Sequence, residues 1–179
     1  ALPAHTEVGL DARSWVWLME TLWALGYAEQ AAVCSQQAVA QARAEGHAFS
    51  LGFALSVGEL SLGWLRHDPP AMRATLQHLA ELGHGAVLSV FQLWGAMFQG
   101  WLIAVDERNP EGLRQLQHNL DQWVVGGQSA RAYHYLLLAE AHLALDQVAA
   151  AHETLAQALV QSAKTGGNFF KAELLRLQG

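Results

Sequence analysis

Nine histidines are the first residues whose type could do chemistry: His5, His47, His67, His78, His84, His118, His134, His142 and His152. Zinc and iron sites take imidazoles at short helical spacings. No two of these histidines stand four apart, and there is no His-Glu-x-x-His. Glu81 and His84 form an isolated Glu-x-x-His, whereas di-iron bundles need several such groups on facing helices. Most of the histidines therefore read as surface, turn or groove residues. The expected complement of metals and cofactors is none.

Nucleophilic chemistry has as little to build on. The single Cys34 lies in an Ala-rich segment and reads as a small packing residue. Gly-x-Ser-x-Gly, a Walker A loop and Gly-x-Gly-x-x-Gly are all absent. Gly83-His84-Gly85 and Gly126-Gly127 follow helical segments with no strand before them, so they read as helix caps. The chain is expected not to be an enzyme.

Composition narrows the class further. Of 179 residues, 52% are hydrophobic and 15% charged. Typical domains are about 25% charged, so this chain has a core to bury and is not a solvated tail. Sixteen acidic residues outnumber ten basic ones, for a formal net charge of -6. That balance gives no footprint for direct nucleic-acid binding. The first residues show neither a signal peptide nor an initiator Met, as expected of a segment of a longer cytoplasmic protein. Residues 82–105 carry no formal charge and are long enough to suggest a membrane span. No Lys/Arg cluster flanks them, and the core helix of a soluble array has the same composition. No membrane contact is expected.

The elements that must position any site follow from punctuation. Glycines recur at Gly46, Gly85, Gly126 and Gly166, at intervals near 40 residues, each after a segment of helical periodicity. Midway breaks fall at Gly26-Tyr27, His67-Asp68-Pro69-Pro70, Glu107-Arg108-Asn109-Pro110 and Asp146-Gln147. Strand-like alternation is absent. The pattern predicts helices over 11–25, 28–45, 49–66, 70–82, 87–105, 110–125, 131–145, 147–164 and 168–177. They form four hairpins and a last helix in one repeat domain, 11–179, after an N-terminal extension, 1–10. The first helix of each hairpin is rich in large apolar residues and the second in Ala and polar residues. Such hairpins bury their faces only by stacking on neighbours.

This pattern resembles the tetratricopeptide repeat (TPR). Trp15, Leu18, Leu22, Gly26 and Ala31 carry the likeness in the first unit. Leu55, Glu59, Leu62 and Ala71 fit the second less well, Gly100, Ile103 and Gly112 the third, and Tyr135, Leu138, Ala139, His142 and Ala151 the fourth. Leu22–Ala31, Ala48–Leu55 and Phe169–Gly179 are similar to the TPR-like C-terminal region of large bacterial signalling regulators, which join nucleotide-cyclase or winged-helix domains to an NTPase. The resemblance implies an all-α, right-handed superhelical solenoid. It also implies an interaction or sensor module that takes a peptide, partner domain or effector on its concave face. Carried over position by position, the groove comprises Arg13, Glu20, Trp23, Phe53, Trp64, Trp94, Met97, Trp101, Tyr133 and Glu140. Each of these aromatics has a competing reading as core between hairpins. A structural self-association module that forms a dimer, and a small-molecule sensor with an enclosed pocket, are the other functional outcomes.

Overall fold

A computed structural model describes residues 10–83, 88–123, 127–165 and 169–179. Those residues form helices joined by short turns, with no strand among them. The helices are α1 (Ala12–Ala24), α2 (Ala28–Glu45), α3 (Ala48–Phe53), a π-helical stretch (Ala54–Leu60), α4 (Ser61–Leu65), α5 (Pro69–Glu81), α6 (Ser89–Val105), α7 (Pro110–Asp121), α8 (Gly127–Ala144), α9 (Val148–Thr165) and α10 (Lys171–Gln178). Of the expected glycine breaks, Gly85, Gly126 and Gly166 lie outside the described residues. Gly46 has a left-handed φ of 69° at the end of α2.

All four midway breaks are turns with one left-handed residue: Gly26, His67, Arg108 and Asp146. Three share one hydrogen-bond pattern. Gly26 N–H donates to Trp23 O and Tyr27 N–H to Leu22 O, and the same pair recurs at His67 and Asp68 and at Asp146 and Gln147. These are Schellman caps, which satisfy the last carbonyls of a helix through a left-handed residue. Asp68 and Asn109 then cap the next helix through their side chains, at 3.1 Å to Ala71 N–H and 3.0 Å to Glu111 N–H, with Pro69 and Pro110 in the first turn. A left-handed side-chain-bearing residue costs about 1–2 kcal/mol, and the extra chain entropy of glycine returns about 0.5–1 kcal/mol of that. His67→Gly is therefore expected to stabilise the protein by roughly 0.5–1 kcal/mol, read as an increase in melting temperature. A decrease would show that the exposed imidazole makes a contact worth more than the strain.

The hairpins share a second feature. Met19 and Ala31, Leu60 and Met72, Gly100 and Gly112, and Ala139 and Ala151 are pairs of buried residues, each pair twelve apart in the chain. Successive pairs are offset by about 40 residues, one hairpin each.

The chain divides into two compact units, Ala1–Phe91 and Gln92–Gly179. In the first, α1 packs along α2, and the rod Ala48–Leu65 packs against α1, α2 and α5. Its core contains Val16, Met19, Ala31, Ala38, Leu55, Leu62 and Leu79. Cys34 is in that core, where burial pushes its thiol pKa up and keeps it unreactive. The π-helical stretch is not foreseen by a 3.6-residue period. Gly58 approaches Val16 closely there, and Ser61 Oγ donates to Ser56 O, five residues back, at 3.3 Å. The rod Ala48–Leu65 is the one described helix long and apolar enough to cross a membrane, and more than half of it is buried within the protein. Helix α6, in the segment whose composition suggested a span, is 17 residues long.

In the second unit, α8 packs along α9, α7 against α8, and α10 against α9. Helices α6 and α7 meet at Gly100 and Gly112, where each glycine faces the other helix's backbone. Leu102, Leu116, Leu136, Leu137, Leu155 and Leu174 fill the interior.

Candidate functional site

The residues assigned to a groove fall into three environments. Trp64, Met97, Trp101 and Tyr133 are buried; Trp101 is 2% exposed and Met97 1%. A side chain with no surface cannot anchor a partner, so these four serve packing in this structure. Trp23, Phe53, Trp94, Glu20 and Glu140 are half-buried, and only Arg13 is exposed. Arg13 lies 3.7 Å from Asp11, with both side chains in solvent.

In the second unit the structure brings several of them together. The indole N–H of Trp101 donates to Glu140 Oε2 at 2.8 Å, fixing a carboxylate against the buried ring. Trp94 stacks on Tyr133, with ring centroids 5.4 Å apart and planes 22° from parallel. The edges of Trp123 and His134 complete that cluster at 5.3 Å and 5.5 Å from Trp94, and Phe170 meets Tyr133 at 5.0 Å. Trp123 lies two residues past the end of α7, and His134 is on α8. No sequence pattern singled them out, because the residues that join them in space are far apart in the chain. The indole N–H groups of Trp94 and Trp123 are buried and have no hydrogen-bond partner.

Two hollows open on this unit. One, of about 260 Å³, is lined by Gln117, Leu120, Asp121, Trp123, His134, Tyr135 and Leu138. A second, shallower one of about 410 Å³ lies between α8 and α9, lined by Tyr135, Glu153, Ala156, Gln157, Val160 and Gln161. Tyr135 belongs to both.

In the first unit the accessible aromatics include two that sequence placed in the first helices without assigning them to the groove, Trp17 and Phe49. Trp17 is 56% exposed and meets the predicted Phe53 edge-on at 5.9 Å. Phe49, also exposed, meets Phe91 at 5.0 Å, and Phe53 meets Phe91 at 6.4 Å. A small hollow of about 160 Å³ beside them is lined by Asp11, Arg13, Glu45 and Phe49. Glu20 lies one turn beyond Trp17 on α1. Burial raises its pKa from 4.5 to about 7.

Among the described residues no group of three His, Cys, Asp or Glu side chains converges as a metal site would require. No family model, curated protein or solved structure matches this chain.

Proposed function

We propose that this chain is a protein-interaction module of TPR-like hairpins, working in the cytoplasm within a larger bacterial signalling regulator, and not an enzyme. The four buried pairs twelve residues apart support the TPR-like reading, because repeated hairpins need one fixed point of close helix approach. The interaction reading rests on one observation. Trp17, Phe53, Phe91 and Phe49 form a continuous run of ring contacts whose two ends, Trp17 and Phe49, are exposed. Aromatics of this kind are enriched at interfaces, and exposed apolar patches mark contact surfaces.

The partner that best fits is a second copy of the chain. The face carries both signs of charge beside its rings, with Arg13 near Asp11 and Glu45. A two-fold axis would set the Arg13 of one copy against the acids of the other. Self-association through the N-terminal hairpin would then couple two regulators, with occupancy passed to their output domains. Sedimentation equilibrium tests this directly. The wild-type mass should rise with concentration toward that of a dimer, and Trp17→Asp should hold it at the monomer. Because Trp17 is mostly exposed, its removal should cost little folding stability beyond the ring contact with Phe53, about 0.5–1.5 kcal/mol. A wild-type protein that stays monomeric at all concentrations would overturn the reading.

A further inference from the structure

We propose that α10 is a displaceable latch seated on a helix-acceptor site of α8 and α9, and that a partner helix carrying an aromatic residue, a leucine four positions on and an arginine two beyond that takes the same seat. The site lies in the second unit, whereas Trp17 lies in the first. Helix α10 has 8 residues, and of these only Leu174 is buried. Lys171, Ala172, Leu175, Arg176 and Gln178 are exposed. Its N-cap is Phe170, whose side chain accepts no backbone N–H, where a Ser, Thr, Asp or Asn would secure the first turn. Helices shorter than about 12 residues are marginal in water unless a surface holds them. The seat therefore keeps α10 helical. Segments held by so few buried contacts are the first to open in a native protein.

Three side chains make the seat specific, on a helix that packs against α9. Phe170 meets Tyr133 of α8 edge-on, with ring centroids 5.0 Å apart. One turn on, Leu174 is 0% exposed, and its N–H donates to Phe170 O at 2.9 Å. Arg176 Nε donates to Glu173 at 2.8 and 2.9 Å. Glu173 and, from α8, Glu140 hold that guanidinium in its charged form. The Glu140 carboxylate is itself fixed by the Trp101 indole N–H at 2.8 Å. An aromatic and an aliphatic anchor at i and i+4, beside a fixed counter-charge, are the means by which a groove takes an amphipathic helix. The seat reads these side chains and not their covalent link to α9. A helix of another protein with the same three anchors makes the same contacts once α10 has lifted.

The test uses the full chain and a labelled, capped peptide with the sequence of residues 169–179, followed by fluorescence anisotropy. Wild type should bind the peptide weakly, because its own α10 fills the seat. Leu174→Asp should undock α10 and bind the peptide at least about tenfold more tightly, with a circular dichroism signal that loses no more helix than α10 holds. A peptide carrying the same Leu174→Asp change should not bind. Adding Glu140→Gln to the variant keeps an acceptor for the Trp101 N–H and should weaken peptide binding roughly two- to fivefold. Hydrogen exchange on the wild-type chain decides the matter should Leu174→Asp fail to fold. The α10 amides should exchange at least about a hundredfold faster than those at the centres of α8 and α9. The proposal is overturned if the folded variant does not bind the peptide, if variant and wild type bind it equally, or if α10 exchanges no faster than α8 and α9. Trp17 is outside this unit, so the gained peptide binding should persist when Trp17→Asp is combined with Leu174→Asp. A wild-type dimer that Leu174→Asp also abolishes would mean that α10 is exchanged between copies, and the intrachain latch would be wrong.

Discussion

Gly112→Ala is expected to cost the second unit about 3 kcal/mol or more. A Cβ built on Gly112 would fall inside van der Waals contact with the backbone of Ala104 and Gly100, and 2.7 Å from Ile103 Cβ. From the other side, a Cβ on Gly100 would lie 2.9 Å from both Gly112 O and Leu116 N. The obstacle is helix backbone, which cannot rotate away as a side chain can. Overpacking a core commonly costs about 1–3 kcal/mol, and here α6 and α7 would have to separate along their length. The measurement is chemical unfolding followed by far-ultraviolet circular dichroism and by tryptophan emission. Trp94, Trp101 and Trp123 lie in the affected unit, and the other four tryptophans lie in the first. The expected result is an early transition involving part of the signal. A midpoint within the equivalent of about 1 kcal/mol of wild type would mean that the helices do not approach so closely, and the pairing of Gly100 with Gly112 would lose its meaning.

That pairing also marks how far the sequence was readable. Gly100 and Gly112 stood out only as positions that fit the TPR pattern in the third unit, and the close approach of helix backbones is what the structure adds. The turns were equally legible, through Gly26, Pro70, Pro110 and the polar residues beside them, and α2 begins and ends where its pattern predicts. The π-helical stretch Ala54–Leu60 was not, because a period of 3.6 cannot register the wider turn. The site was harder. Spacing can place Trp64, Trp94 and Trp101 on first helices, but it cannot say which neighbour covers them. Trp101 is covered and bonded to Glu140, while Trp17, which received no special role, is open to solvent. The hollow beside α7 and α8 was illegible for another reason: its lining residues Gln117, Trp123 and Tyr135 come from different elements and share no periodicity.

The second large effect concerns Glu20 and pH. Burial without a compensating cation disfavours its charged form and raises its pKa from 4.5 to about 7. A carboxyl whose folded pKa is raised binds its proton more tightly in the native state than in the unfolded chain. Between those two values the native protein therefore holds the extra proton, and stability falls as pH rises. The contribution is fully present below about pH 4.5, is lost through the folded value near 7, and is flat above it. The interval corresponds to roughly 3 kcal/mol, from 1.36 kcal/mol per unit. Glu20→Gln keeps the size and removes the charge, so it should abolish this dependence. Near pH 4 the variant and wild type should unfold at nearly the same denaturant midpoint. At pH 8 the variant should be more stable by about 2–3 kcal/mol. A difference that is constant across pH 4 to 8 would show that the Glu20 carboxyl is solvated in the folded state. The position gives the titration a second consequence. Glu20 follows Trp17 by three residues and Arg13 by seven, so the three share one face of α1. Charge on Glu20 near neutral pH thus arises beside the face assigned to self-association. The same Gln variant, examined by sedimentation at pH 6 and pH 8, would show whether association follows that proton: wild-type mass should depend on pH across this interval, and the variant's should not.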